Sequence, residues 1–402
     1  MHDEACTHFD DIMNNMMLGH EFLLKEFDYK PTIGWHIDPF GHSNANVRLF
    51  AEMGFDTFIF ARLDYEDEEE RKKNQEMQFV WRPFSESLGD SVEIFTHVLY
   101  DMYWTPLSLG YDERWFPGVS DPVVDDETLS TYNGDKRAKE FLEYVTDMSK
   151  NYKTKNLFIP WGEDFAYGNA LNEFSQGDAL MRQWAKQYPD IGIDLKYSTI
   201  PAYIEAVKAE KITWPNKYDD MFPYASDDTQ YWTGYFTSRA NSKSQVRMGQ
   251  QNLIASNKVF CDLVLDRSST QDDIDAVLDA RYSMLDSMGS YQHHDAVTGT
   301  ARQLVADDYS RLLSESMEKS NKIFSKYVSD YTEGFAGIKA DDWSLCTVTN
   351  STWADCPVPE NTKEFAVTIF NPSSAMLDLL EFKVPPAADY DVQIWDYQYV
   401  VW

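Results

Sequence analysis

The stretch Gly34-Trp35-His36-Ile37-Asp38-Pro39-Phe40-Gly41-His42-Ser43 decides how the rest of the chain is read. Residues 30–37 have the character of a strand that delivers an aspartate and then breaks at once. Pro39 removes a backbone donor and fixes φ, while Gly41 permits a tight bend. Ser43 is an N-cap residue, so a helix is expected over 44–53, closed by Gly54. Residues 55–61 form a second, apolar strand that ends at Arg62. Strand, helix and strand make a βαβ unit on a parallel sheet. Asp38 then lies just past the carboxyl end of a strand, where the ligand sites of α/β proteins open. His36 and His42 flank it, two residues before and four after. The same residues would also serve an ordinary βα turn whose polar groups satisfy loop amides.

At 402 residues the chain exceeds one typical domain, and two or three are expected. A hydrophobic content of 43% with 15% aromatics supplies large cores and argues against disorder. The formal charge of −32 repels polyanions, which disfavours nucleic acid and anionic membrane as partners. A neutral ligand such as a sugar fits this surface. No run of ~20 apolar residues is present, so no membrane-spanning helix is expected. The opening Met1-His2-Asp3-Glu4-Ala5-Cys6 lacks a basic-then-apolar signal pattern. Two features nevertheless point to the secretory pathway. Asn350-Ser351-Thr352 is a glycosylation sequon at Asn350, and the flanking Cys346 and Cys356 read as a local disulfide. Cys6 and Cys261 have no evident partner.

Outward from the opening stretch, residues 7–27 carry His8, Ile12, Met16, Leu23 and Leu24 at near-helical spacing. Residues 64–73 are a charge run, read as a solvated helix face. A strand is expected over 91–99. Residues 100–122, rich in aromatics, Pro and Gly, read as a long loop of the kind that carries function. Residues 135–152 are an amphipathic helix with Phe141, Leu142, Val145 and Met148 on one stripe. A strand over 156–160 ends in Trp161-Gly162-Glu163-Asp164-Phe165, again placing carboxylates past a strand. Helix, strand and helix continue to about 211. The character changes after Pro223. An aromatic cluster, Tyr231-Trp232-Thr233-Gly234-Tyr235-Phe236, precedes helical patterns over 242–265, 270–292 and 302–329, the pattern of an antiparallel helical bundle. From about 334, strand patterns over 365–370 and 391–401 alternate with Pro-rich turns.

Three polar groups stand out: Asp38 with His36 and His42, Glu163 with Asp164, and His293 with His294 and Asp295. Zinc takes imidazole nitrogen and carboxylate oxygen, and a catalytic zinc site keeps one position open. One residue from the strand end and one from the bundle would meet at a domain junction, and adjacent histidines rarely both face one ion. His293-His294 also suits a plain helix C-terminus, where histidine favours the dipole. Two carboxylates from separate strand ends suit glycoside hydrolysis, one attacking the anomeric carbon or guiding water, the other protonating the leaving oxygen. Glu163-Asp164 would equally serve as a helix N-cap. His-Glu-x-x-His, the P-loop, Gly-x-Gly-x-x-Gly and Gly-x-Ser-x-Gly are all missing, which removes the commonest metallopeptidase, nucleotide-binding and serine-hydrolase readings.

Four motifs in order carry a family resemblance. They are the opening stretch, Pro160-Trp161-Gly162-Glu163-Asp164-Phe165, Tyr231-Trp232-Thr233-Gly234-Tyr235-Phe236-Thr237-Ser238-Arg239, and Gln292-His293-His294-Asp295-Ala296-Val297-Thr298-Gly299-Thr300. With these the chain resembles the class II α-mannosidases, glycoside hydrolase family 38, and is most similar to their lysosomal acid branch. The resemblance fades after about residue 342. It implies an α/β catalytic domain over 1–222 without its first strand, an all-α bundle over 223–333, and the start of a β-sandwich domain over 334–402. It implies a retaining exo-mannosidase with one zinc ion, acting on mannose-terminated oligosaccharides in the lysosome or vacuole. Asp38 would be nucleophile and zinc ligand, Asp164 the acid/base and His294 a zinc ligand. Phe40, Arg62, Trp232 and Asp295 would bind the sugar, with Trp232 stacking on it. Asp164 must hold a proton at working pH, so a polar, partly desolvated site is expected.

The family also supplies a His-x-Asp segment with two further zinc ligands, and this segment should precede residue 1. The resemblance therefore implies a piece truncated at both ends, binding zinc weakly and inactive alone. Cys261 matches a position often bridged in the acid branch, but Ser320 stands in the expected partner region. Two alternatives stay open at this point: a non-catalytic mannose-binding relative that kept Asp38 but lost the metal, and a Golgi-type processing mannosidase.

Overall fold

The computed structural model describes residues 1–106, 109, 121–266, 269–337, 343, 347–348, 354–373 and 391. They divide into two compact units, Met1–Ser238 and Arg239–Trp402.

In the first unit the expected opening helix is α1 (Phe9–Phe27), capped by the His8 side chain and closed by Asp28 in a left-handed conformation. The βαβ unit forms as read. β1 (Ile33–His36) pairs in parallel with β2 (Thr57–Phe60), His36 lying opposite Phe60. Between them α2 (Asn44–Glu52) starts at Ser43, whose Oγ accepts the Asn46 N–H at 3.0 Å. A Cβ at Gly34 would fall 2.8 Å from the Phe50 ring, so glycine is what lets α2 close onto the strand. The charge run is α3 (Tyr65–Asn74), with Glu66, Asp67 and Glu68 in its first turn and Arg71, Lys72 and Lys73 in its last, complementing the helix dipole.

The sheet departs from the all-parallel expectation. β3 (Gln78–Trp81), unforeseen in the sequence, leads through α4 (Ser85–Leu88) to β4 (Ile94–Val98) and pairs with it antiparallel. β5 (Asn216–Lys217) adds to β3, giving the order β1-β2-β4-β3-β5. On one face Val47, Phe50, Phe58, Phe60, Phe79, Trp81 and Val98 form a core. On the other, Ile59, Ala61 and Leu99 meet Tyr203, Ile204 and Val207 of α7 (Ile200–Ala209). Each fully buried large side chain contributes about 1.5–3 kcal/mol. α5 (Gly134–Ser149) and α6 (Ala170–Gln187) share a further cluster, including Phe141, Val145 and Trp184.

Two expected strands of this region are corrected. Residues 156–160 lie outside the sheet. β4 already has neighbours on both sides, and the local backbone is bound by side chains: Glu210 takes the Lys155 N–H, and Thr154 takes that of Asn156. Residues 188–199, between α6 and α7, likewise form no strand; Tyr197 packs against Phe174 of α6 instead.

The second unit is helical. α8 (Ala240–Leu265), α9 (Gln271–Tyr291) and α10 (Gln303–Ala336) each pack on the other two. Thr270 and Asp273 form a capping box at the start of α9. Val246, Leu253, Val259, Val277, Met284, Met288 and Leu313 are buried between the helices. Further along, β8 (Thr347–Val348) pairs antiparallel with β9 (Ala354–Asp355), and α11 (Pro357–Asn361) follows. Residues 365–370 are not a strand either, a third such correction. Phe370 packs on Phe324 of α10, while Val367 and Ile369 stay exposed, with no pairing strand beside them among the described residues. Residues 392–401, Cys346 and Asn350 lie outside the described residues, so the expected sandwich strand, disulfide and glycosylation site do too; Cys356 is buried. Among the described residues no helix is long and apolar enough to cross a membrane.

Candidate active site

Asp38 follows β1 by two residues, at the carboxyl end of the sheet, as the sequence indicates. Arg62, just past β2, reaches it along the neighbouring parallel strand. Arg62 Nε donates to Asp38 Oδ1 at 2.6 Å and to the Asp38 carbonyl at 3.1 Å, and Arg62 Nη2 completes an ion pair. The guanidinium lies 4.8 Å from the Trp232 ring centroid, 5.5 Å from Phe40 and 5.8 Å from Tyr224. Burial alone would lower its pKa, but the charges of Asp38 and Tyr224 and their hydrogen bonds more than offset this and raise it. Arg62 is thus a fixed cation that orients Asp38 and is itself held by aromatic faces.

The turn after Asp38 tolerates only glycine at its bend. Gly41 has φ +115°, and a Cβ there would fall 2.3 Å from the Phe222 ring. The next residue is tied to a distant segment: His42 N–H donates to the Met221 carbonyl at 3.1 Å, and Met221 N–H returns the bond at 2.8 Å. Trp232 enters from the same side. It follows the hairpin of β6 (Ala225–Asp227) and β7 (Gln230–Tyr231), and its indole N–H donates to Ser226 Oγ at 3.1 Å. Phe40 packs 5.0 Å from the Trp232 ring and 5.2 Å from Tyr235, whose hydroxyl donates to the Phe40 carbonyl at 3.1 Å.

Glu163 and Asp164 lie on a loop tied to residue 105. The Thr105 N–H donates to the Gly162 carbonyl, and the Gly162 N–H donates to Thr105 Oγ1, both at 2.8 Å. Phe165 and Tyr167 adopt left-handed φ of 59° and 64°, and Tyr167 OH donates to the Trp161 carbonyl at 2.8 Å. Asp164 is exposed and Glu163 half-buried. Tyr103 feels the charge of both carboxylate loops. Its hydroxyl pKa is pushed up by burial first and then by the charges of Asp38, Asp164 and Glu163, against Arg62. Glu163 is itself raised by burial and, among other charges, by Asp164 and Asp38. Asp38, Glu163 and Asp164 therefore act on common neighbours although they come from separate loops. Tyr103 and Tyr224 escaped the residue-level reading; the aromatic, Pro-rich character of 100–122 was the only pointer to the first.

His36 and His42, which flank Asp38 in sequence, share a second carboxylate. Both Nδ1 atoms meet Glu4 Oε1, at 2.7 and 2.8 Å, and all three side chains are buried. Two ligands on one tetrahedral zinc stand about 3.3 Å apart, so these shorter separations describe hydrogen bonds.

In the second unit, His294 is buried just past α9 and Thr298 Oγ1 donates to its carbonyl at 2.5 Å. Thr300 Oγ1 donates to Asp295 Oδ1 at 2.6 Å. Lys243 binds the Thr298 carbonyl and Arg239 that of Ala301, fixing this loop on α8. His293, His294 and Asp295 offer ligand atoms within 4.8 Å of one another. Imidazole nitrogen and carboxylate oxygen are the donor types zinc takes, so these residues fit such an ion chemically.

The first unit thus carries an aspartate just past a sheet strand, held by Arg62 beside Phe40 and Trp232, and its charge is felt by Tyr103 together with those of Asp164 and Glu163. The chain belongs to glycosyl hydrolase family 38: residues 1–227 match its N-terminal domain, and residues 230–330 match the alpha mannosidase middle domain. It is 37% identical over 366 residues to the lysosomal alpha-mannosidase of Dictyostelium discoideum, covering 90% of this chain and 35% of that protein. It is 36% identical over 382 residues to the Bos taurus lysosomal alpha-mannosidase, covering 94% and 37%. The fold matches an alpha-mannosidase from Enterococcus faecalis V583 with a TM-score of 0.58 at 13% identity, over 83% of this chain and 33% of that one. The chain thus spans a little over a third of the length of these curated relatives.

Proposed function

We propose that this chain carries the catalytic residues of a retaining exo-α-mannosidase that removes terminal α-linked mannose from N-glycans and related oligosaccharides. The observation that carries the reading is the Asp38 carboxylate past the end of β1, held by Arg62 at 2.6 Å with the guanidinium over the Trp232 and Phe40 rings. In the proposed reaction an Asp38 oxygen bonds to the anomeric carbon as the glycosidic C–O bond breaks, and Asp164 gives its proton to the leaving oxygen. Asp164 then takes a proton from water, which displaces Asp38 and restores the starting state. Arg62 holds the Asp38 carboxylate in place, and Trp232 and Phe40 give the sugar an apolar face. Asp295 would bind hydroxyls. Asp38 and His294 are each proposed as zinc ligands, and a bound zinc would supply a Lewis-acid anchor for ring hydroxyls. The lysosome or vacuole is the proposed compartment, with Asn350 glycosylated and Cys346–Cys356 bridged.

The reading is tested by binding and by turnover, both with zinc supplied. Saturation-transfer NMR should show methyl α-mannoside bound in preference to the galactoside, with binding lost in Trp232→Ala. Binding carries the test, because this piece is expected to bind zinc weakly and to be inactive alone; any hydrolysis of 4-nitrophenyl α-mannoside that is seen should release α-mannose first and be abolished by Asp38→Asn. Equal binding of both sugars, or β-mannose as first product, would sink the reading. Zinc stoichiometry in wild type and His294→Gln checks the proposed ligand.

A further inference from the structure

Glu4 is a buried carboxylate that the proposed reaction does not use. Oε1 accepts His36 Nδ1 at 2.7 Å and His42 Nδ1 at 2.8 Å, and Oε2 accepts the Ser43 N–H at 2.8 Å. Both imidazoles must therefore carry their proton on Nδ1. The three contacts straddle Asp38. His36 is the last residue of β1, His42 closes the turn and Ser43 caps α2. His42 also carries the backbone bridge to Met221. The segment bearing Asp38 is thus fastened at both ends to one side chain that arrives from the N-terminal residues. Burial of a carboxylate is costly unless its oxygens are fully engaged, and stability alone is a weak reason to retain one. Fixing the angle at which a neighbouring carboxylate points is a better one, because misplacement by about 1 Å costs about 10²-fold in rate.

We propose that Glu4 is the positioning residue of the Asp38 turn, clamping His36, His42 and Ser43 so that the Asp38 carboxylate meets Arg62 in one orientation. Its catalytic consequence rests on the reading of Asp38 as nucleophile; the clamp itself does not.

The test is read on the Arg62 Nε–H NMR signal, which reports the 2.6 Å contact to Asp38 and needs no turnover. Arg62→Lys identifies the signal by removing it. Glu4→Gln keeps the size of the side chain but replaces one acceptor oxygen by a donor. In Glu4→Gln, folded by circular dichroism and with the indole N–H signal of Trp184 (in a separate cluster) unmoved, the Arg62 signal should shift or broaden. If that variant does not fold, His42→Asn and His42→Leu replace it. Asparagine presents an N–H near the Nδ1 position and should keep the wild-type Arg62 signal, and leucine should not. A wild-type Arg62 signal in folded Glu4→Gln, or identical signals in the two His42 variants, overturns the proposal. Where mannoside hydrolysis is measurable, Glu4→Gln should lower kcat about 10²-fold with KM nearly unchanged. A wild-type chain that binds mannoside and galactoside equally counts against the functional reading only, since the Arg62 signal still decides the clamp.

Discussion

His97, in the central strand β4, is wholly buried and stacks on Tyr152 at 5.4 Å. Its Nδ1 accepts from Gln78 Nε2 at 3.1 Å, and its Nε2 is buried without a hydrogen-bond partner. Burial pushes the imidazole pKa down to about 3 from 6.5. The folded state therefore keeps His97 neutral while the unfolded chain takes up a proton below pH 6.5. With the folded pKa the lower of the two, stability is fully present above 6.5 and is lost as pH falls toward 3. The loss is about 1.4 kcal/mol per pH unit, or about 2 kcal/mol between neutrality and pH ~5. His97→Asn keeps an acceptor for Gln78 and removes the titration. The variant should be about 1–3 kcal/mol less stable at pH ~7.5, from lost volume. The two stabilities should then converge by about 2 kcal/mol at pH ~5. Urea midpoints at the two pH values, followed by tryptophan fluorescence, measure this. Parallel curves for wild type and variant would refute the reasoning.

Other outcomes follow from the same physics. Asp3 is buried and its carboxyl is raised to about 6, chiefly by burial and against the N–H bonds of Cys6 and Ala5. Its contribution is present below pH 3.8 and lost as pH rises through 6, about 3 kcal/mol in all, so Asp3→Asn should abolish that part of the pH slope in the same urea melts. Gly41→Ala drives a Cβ into the Phe222 ring at a φ of +115°. It should cost about 2–6 kcal/mol, and amide exchange should show the Met221–His42 bridge opening first. Arg62→Gln and Trp232→Leu remove the two halves of one stack 4.8 Å apart. Their double-mutant cycle in thermal melts should give a coupling of about 0.5–1 kcal/mol, and strict additivity would deny the stack.

The βαβ unit, the helices and the Asp38 turn were legible because their signals are local: Ser43 as a cap, Gly41 at the bend, an apolar run from Phe55 to Ala61. β3 was hidden because four residues following a charged helix show no alternation, and its direction depends on partners elsewhere in the chain. Residues 156–160 misled because an apolar run says nothing about whether a strand edge is open to receive it. Asp38, Arg62, Phe40 and Trp232 are brought together, each from a segment whose local signal is strong. The partner of the two flanking histidines was not readable, because Glu4 stands 32 residues before His36 and reaches it only through the tertiary fold. Tyr103 was lost for the same reason: its importance lies in which charges it feels.

The loop that bears Asp38 is completed by the chain near residue 221. Besides the Met221 bridge, the Asn44 N–H binds the Asp220 carboxylate across a separation of 176 residues. At about 5–20 residues per second, a ribosome needs about 10–35 s to travel that interval. A nascent chain therefore shows its βαβ unit well before the turn bearing Asp38 is tied down, and premature termination before residue 221 would leave product that is partly structured yet lacks that closure.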